Sequence, residues 1–168
     1  GTEACDACHG AGGRPEPPPA LDGATETSAR GVGAHAAHLA PSPRHADVRC
    51  VHCHPVPDSV AAPGHLDDTR PADVVFSGLA AIGLGADWDG TTCAVYCHGG
   101  AFRFAPRRSG EWTSGAVAGC TSCHGRPPGA PHPPSSDCGR CQLVVADESG
   151  AIVRGLLHID SIVAAPHG

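Results

Sequence analysis

Five times along this chain two cysteines stand close together, and four times a histidine follows the second one. Cys5-Asp6-Ala7-Cys8-His9, Cys50-Val51-His52-Cys53-His54 and Cys120-Thr121-Ser122-Cys123-His124 share the spacing C-x-x-C-H. Cys93-Ala94-Val95-Tyr96-Cys97-His98 has one residue more, and Cys138-Gly139-Arg140-Cys141 is followed by Gln142. The spacing suits covalent haem attachment. Two thioethers hold the two vinyl edges of one porphyrin, and a tight turn keeps the sulfurs at that separation. The next residue projects over the ring, where an imidazole reaches the iron. A lone match is weak, but three strict matches and a near match in 168 residues are strong.

Two other chemistries use paired cysteines. A disulfide framework accommodates ten cysteines in an oxidising compartment, but gives no reason for a histidine behind four of the five pairs. Zinc fits Cys120, Cys123, Cys138 and Cys141, whose spacing is near that of a zinc ribbon. It leaves His124 without a role and the upstream pairs without partners. Haem accounts for more. In the longer motif the extra residue is expected to bulge outward, leaving Cys93, Cys97 and His98 to hold a haem. At Cys138 and Cys141, with Gln142 in the ligand position, no fifth haem is expected; the pair closes as a local disulfide or stays free.

A second axial ligand must come from elsewhere. The chain has no Met and no Lys, and Tyr96 is its sole tyrosine, so elimination leaves histidine. Of the 12 histidines, eight lie outside the motif position: His35, His38, His45, His52, His65, His132, His158 and His167. His35 and His38 lie in GVGAHAAHLAP, a short helical segment that Pro41 stops. Their i, i+3 spacing puts both on one face, where they can serve two neighbouring haems. His45 and His52 read as bystanders, one in the polar approach to the second motif and one inside its loop.

On these residues the chain resembles the secreted multihaem c-type cytochromes of the C-x4-C-H / C-x2-C-H type, found in metal-reducing and related delta-class bacteria. The resemblance runs through CDACHG at 5–10, GVGAHAAHL at 31–39, CVHCHPVP at 50–57, APGH at 62–65 and WDGTTCAVYCHGG at 88–100. It continues in CTSCHGRPPGAPHP at 120–133 and LLHID at 156–160. It implies His35, His38, His65, His132 and His158 as distal ligands, beside the proximal His9, His54, His98 and His124. The chain departs from the pattern twice: three residues rather than four separate Cys93 from Cys97, and Gln142 replaces the last histidine.

The elements that must hold these residues are sparse. Aromatics make up 4% of the chain, while 23 glycines and 17 prolines approach a quarter of it. A chain with so few large side chains needs another filler. The expected fold is a mostly irregular, haem-cored multihaem cytochrome forming a single domain over residues 1–168. Short helices form at the haem sites, and a β-hairpin is expected in QLVVADESGAIVRG, around Glu148-Ser149-Gly150. The motifs begin at residues 5, 50, 93, 120 and 138, with no constant period that would mark a solenoid.

A net charge of −6 argues against nucleic acid or an anionic membrane as partner. The best apolar run, residues 74–86, is too short to span a bilayer. Without an initiator Met or a signal-like segment, the sequence reads as a processed mature chain outside the cytoplasm, extracellular or periplasmic. The function expected is electron transfer through four bis-histidine haems, with no enzymatic activity. Other redox proteins, mineral or electrode acceptors, or copies of the chain itself are the expected partners. The rival is a catalytic multihaem reductase with one open iron, which needs nearby proton donors that the sequence does not gather. Cys5 near one end, and the thinly apolar tail LHIDSIVAAPHG with His158 and His167 at the other, raise the expectation of a head-to-tail filament.

Overall fold

The structure is a computed structural model, and it describes residues 5–66, 71–83, 85–100, 108–116, 119–122, 124–127, 129–130, 132–142, 144–154 and 158. Irregular chain predominates. The strict motifs form 3-10 turns that open on their first cysteine: Cys5–Ala7, Cys50–His52 and Cys120–Ser122. In the second motif both the Cys53 and His54 amides donate to the Cys50 carbonyl, at 3.0 and 2.8 Å. One carbonyl thus closes the turn and fixes where the histidine leaves it.

The helix expected from GVGAHAAHLAP is present as α1, His35–Leu39. Ala40 turns extended at its end, as the residue before a proline prefers. A second short helix, α2, spans Cys138–Cys141, and the carboxylate of Asp137 at its start accepts the Arg140 amide at 3.3 Å.

The longer motif is built differently. Cys93 and Ala94 form strand β2, paired antiparallel with β1 (Asp87–Trp88), so that Trp88 faces Cys93. Val95 stays extended, and the 3-10 turn comes only at Tyr96–His98. The extra residue does not bulge outward as expected. It is taken up in extended backbone, and the Val95 side chain is buried at 6% exposure.

Asp89 shapes the β1–β2 turn. Its Oδ1 accepts the amides of Thr91 and Thr92 at 2.8 and 2.7 Å, and its Oδ2 accepts the Thr92 hydroxyl at 2.8 Å. Arg108 spans the two arms, with Nη1 2.9 Å from Asp87 and Nη2 2.8 Å from Asp89. Ser109 and Trp112 follow, their amides donating to the carbonyls of Cys93 and Thr91 at 2.7 and 2.8 Å.

The hairpin expected around Glu148-Ser149-Gly150 is reduced to one antiparallel bridge, Ala146 to Ile152. Its first arm spends its amides on α2: those of Val145 and Ala146 both donate to the Gln142 carbonyl, at 2.8 and 2.9 Å. Asp147 closes the turn through the Ser149 and Ala151 amides, both at 2.9 Å. Gly139 rests against the Asp147 backbone, where a Cβ would not fit.

The segment 75–81 joins the second and third motifs. The Val75 and Ser77 amides donate to the carbonyls of Cys53 and His52, at 2.9 and 3.0 Å. The 3-10 turn Gly78–Ala81 then packs on both Cys50–His52 and Tyr96–His98. Among the described residues the buried apolar side chains are Val32, Leu79, Ala80, Val95 and Ala146. That is a thin core, as expected of a chain whose interior something else must fill.

Candidate metal centres

Among the described residues, three of the four motif histidines face a second imidazole. His54 lies against His35 with ring centroids 6.2 Å apart and planes 28° from parallel. His98 lies against His38 at 5.9 Å and 73°, and His124 against His158 at 6.2 Å and 75°. These spacings bear on haem directly. A metal–imidazole bond is about 2 Å and the ring centroid sits about 1 Å behind the nitrogen, so two imidazoles on opposite sides of one metal have centroids about 6 Å apart. All three pairs meet that requirement. His35 and His38, three residues apart on α1, thus lie beside histidines of two different motifs.

The hydrogen bonds fix which nitrogen each ring offers. A carbonyl can only accept, so a ring nitrogen bonded to one must carry the proton. The Nδ1 of His54 donates to Asp73 at 2.6 Å, that of His35 to Val32 at 2.9 Å and that of His38 to Ala34 at 2.8 Å. Likewise the Nδ1 of His124 donates to Gly125 at 2.9 Å and that of His158 to Arg44 at 2.8 Å. Each of these rings keeps Nε2 as its lone-pair donor, the polarity typical of a metal-bound histidine.

His52 is the reverse. Its Nδ1 accepts the Arg49 amide at 3.2 Å, which puts the proton of the neutral ring on Nε2. It is a buried structural residue, in line with the bystander reading.

Burial tunes the site in the same direction. It pushes the His98 imidazole down to about 4, with help from nearby His38, and lowers His35 as well. Both rings stay neutral, as a metal ligand must. Burial raises the Cys93 thiol to about 11, aided by nearby Cys53, and raises Cys53 too. Nothing here favours thiolates. Among the described residues no three His, Cys, Asp or Glu gather into a metal-ion cage; the donors come as imidazole pairs.

The remaining candidates are not brought together. His9, His65 and His132 each donate from Nδ1 to a carbonyl, of Pro15, Val60 and Pro133 at 2.5, 3.0 and 2.7 Å. Among the described residues none of the three faces another ring. His45 has the same polarity, through Ala46 at 2.8 Å. Cys123 and His167 lie outside the described residues. Cys138 and Cys141 stand at the two ends of α2. Sequence reasoning passed over Trp112, whose indole packs on both His35 and His38 at 4.8 and 5.7 Å. The available signal was a large ring in a chain with only two tryptophans.

Residues 92–124 match the family model described as the Geobacter CxxxxCH...CXXCH motif. Over that stretch the chain carries the paired motif of multihaem c-type cytochromes. Within the match stand Cys93, Cys97, His98, Cys120, Cys123 and His124; the motifs at Cys5 and Cys50 lie outside it. No match was found among curated proteins or solved structures. Such a cytochrome binds haem c covalently and works in electron transfer. Cytochromes of this type typically lie outside the cytoplasm. Among the described residues no helix is long and apolar enough to cross a membrane.

Proposed function

We propose that the protein carries electrons through four closely packed c-type haems, and that it is not an enzyme. The observation that carries this reading is the set of three imidazole pairs, each at the spacing of two ligands on one iron. Thioethers would come from Cys5 and Cys8, Cys50 and Cys53, Cys93 and Cys97, and Cys120 and Cys123. Axial ligands would be His54 with His35, His98 with His38, and His124 with His158, while His9 holds the fourth. When bound, the haems supply one-electron chemistry at low potential, since imidazole on both sides lacks the potential-raising Met. Because His35 and His38, three residues apart on α1, would serve two different motifs, those two sites would be neighbours, which electron transfer requires.

His65 and His132 supply the candidates for the fourth pair, either within one chain or from a neighbouring copy. The second route fits a head-to-tail polymer. On this reading the protein works in the periplasm or outside the cell, with redox proteins, minerals, electrodes or its own copies as partners. Denaturing mass spectrometry giving four haem additions, with low-spin ferric signals for each, is the expected result. A chain without haem ends the proposal. Electron microscopy of purified material tests the polymer, and only dispersed particles would remove that part.

A second reading draws on His9, which among the described residues faces no second imidazole. There an iron with one exchangeable position would suit a catalytic multihaem reductase. A stoichiometric high-spin ferric signal would favour it over pure electron transfer.

A further inference from the structure

Trp112 touches both histidines that α1 offers. Its indole meets His35 edge-on, with centroids 4.8 Å apart and planes at 87°, and lies tilted by 30° over His38 at 5.7 Å. We propose that Trp112 is a positioning residue that sets the ring orientation of His35 and His38, and so makes the two haems they ligate electronically unlike. The proposal rests on the reading of these histidines as axial ligands.

Several features hold the indole in place. Nε1 donates to the Arg30 carbonyl at 2.8 Å, and the Trp112 amide donates to Thr91 at 2.8 Å. Trp88 of β1 packs edge-on at 6.4 Å. Gly33, at φ +44, is the other half of the fit, because a Cβ there would fall inside the indole. The tryptophan is therefore tied at one side to the β1–β2 turn and at the other to the chain entering α1. It stands between rings whose own anchor is a single Nδ1–H bond each, to Val32 and Ala34. That bond selects the outward nitrogen but lets the ring rock about it. Contact with a fixed indole removes the rocking.

The two ring pairs differ in the angle between their planes. His35 lies 28° from parallel to His54, whereas His38 stands 73° from His98. The angle between two imidazole planes governs how the iron d orbitals split. Outer-shell groups that orient a ligand thereby tune the metal. Near-parallel planes give a rhombic low-spin signal and near-perpendicular planes a strongly axial one.

The test compares the oxidised holoprotein with Trp112→Leu, Trp112→Phe and Gly33→Ala, by haem mass and low-temperature electron paramagnetic resonance. The expected result for Trp112→Leu is a shift of two low-spin signals, one rhombic and one axial, with the others unmoved. Trp112→Phe, which keeps an aromatic ring, should show only part of the shift, and Gly33→Ala, which displaces the indole without removing it, should reproduce it. Unchanged signals in Leu and Ala variants that retain every haem overturn the proposal, as does an equal shift of all signals. If Trp112→Leu does not mature, Gly33→Ala decides by the same criterion. Should wild-type protein carry no haem or no low-spin signals, the ligand reading fails instead, and the mass distinguishes the two cases.

Discussion

At the scale of single residues, one hydrogen bond gives two neighbouring imidazoles opposite polarity. His52 and His54 are two positions apart, yet His54 donates from Nδ1 to a carbonyl and His52 accepts there from an amide. His52→Ala should therefore cost about 1–3 kcal/mol of stability, by leaving the Arg49 amide without its acceptor. Haem mass and every low-spin signal should stay as in wild type. His54→Gly should do the opposite, altering the ligand field of one haem, and His98→Gly should do so at another. Loss of a low-spin signal in His52→Ala would show that the ring polarity has been misassigned. The motif cysteines and histidines were legible because attachment chemistry fixes their spacing locally. The pairings of His54 with His35 and His124 with His158 were not. They depend on the path of irregular chain between motifs, which no periodicity records.

At the scale of elements, α1 was legible from its alanines and Pro41, while the strands were legible in part: the expected hairpin is there as the Ala146–Ile152 bridge, and the sheet at 87–94 was passed over. β-branched residues at 144–153 promised a hairpin, but the Gln142 carbonyl captures the amides of the first arm. The sheet formed instead at 87–94, where the signal is Asp89 rather than strand propensity. Its carboxyl is held down at about 2 against an ordinary 3.8 by the Thr92 amide and hydroxyl, then the Thr91 amide, with Arg108 adding attraction. The folded value lies below the unfolded one. The stabilisation is thus present above the ordinary carboxylate value and lost as pH falls through about 2. Amide-exchange protection at Thr91 and Thr92 should survive at pH 3 and fade toward pH 2. Asp89→Asn should weaken it at neutral pH and remove its acid dependence, because the amide offers no charge at any pH. Identical pH profiles for wild type and Asp89→Asn would refute this assignment.

For the whole molecule, the question is what the chain folds around. Val32, Leu79, Ala80, Val95 and Ala146 are the buried apolar side chains among the described residues, and two of them are alanines. Among the described residues, buried side chains of that size contribute little against the entropy of ordering the chain around them. The scarce aromatics, the abundant glycine and the imidazole pairs all fit an interior supplied by haem. The protein should then be unfolded without it. With all eight attachment cysteines changed to Ala (Cys5, Cys8, Cys50, Cys53, Cys93, Cys97, Cys120 and Cys123), thermal melting should lose its cooperative transition and amide protection should collapse throughout. Changing only Cys93 and Cys97 should remove at least one covalent link and free His38 and His98, lowering the midpoint while the rest of the haem complement persists. Changing Cys138 and Cys141 should leave four haems by mass, because Gln142 gives that pair no ligand. A cooperative transition in the eight-cysteine variant would mean that the polypeptide has a core of its own, and the haem-cored architecture would have to be abandoned even if the haem count stood.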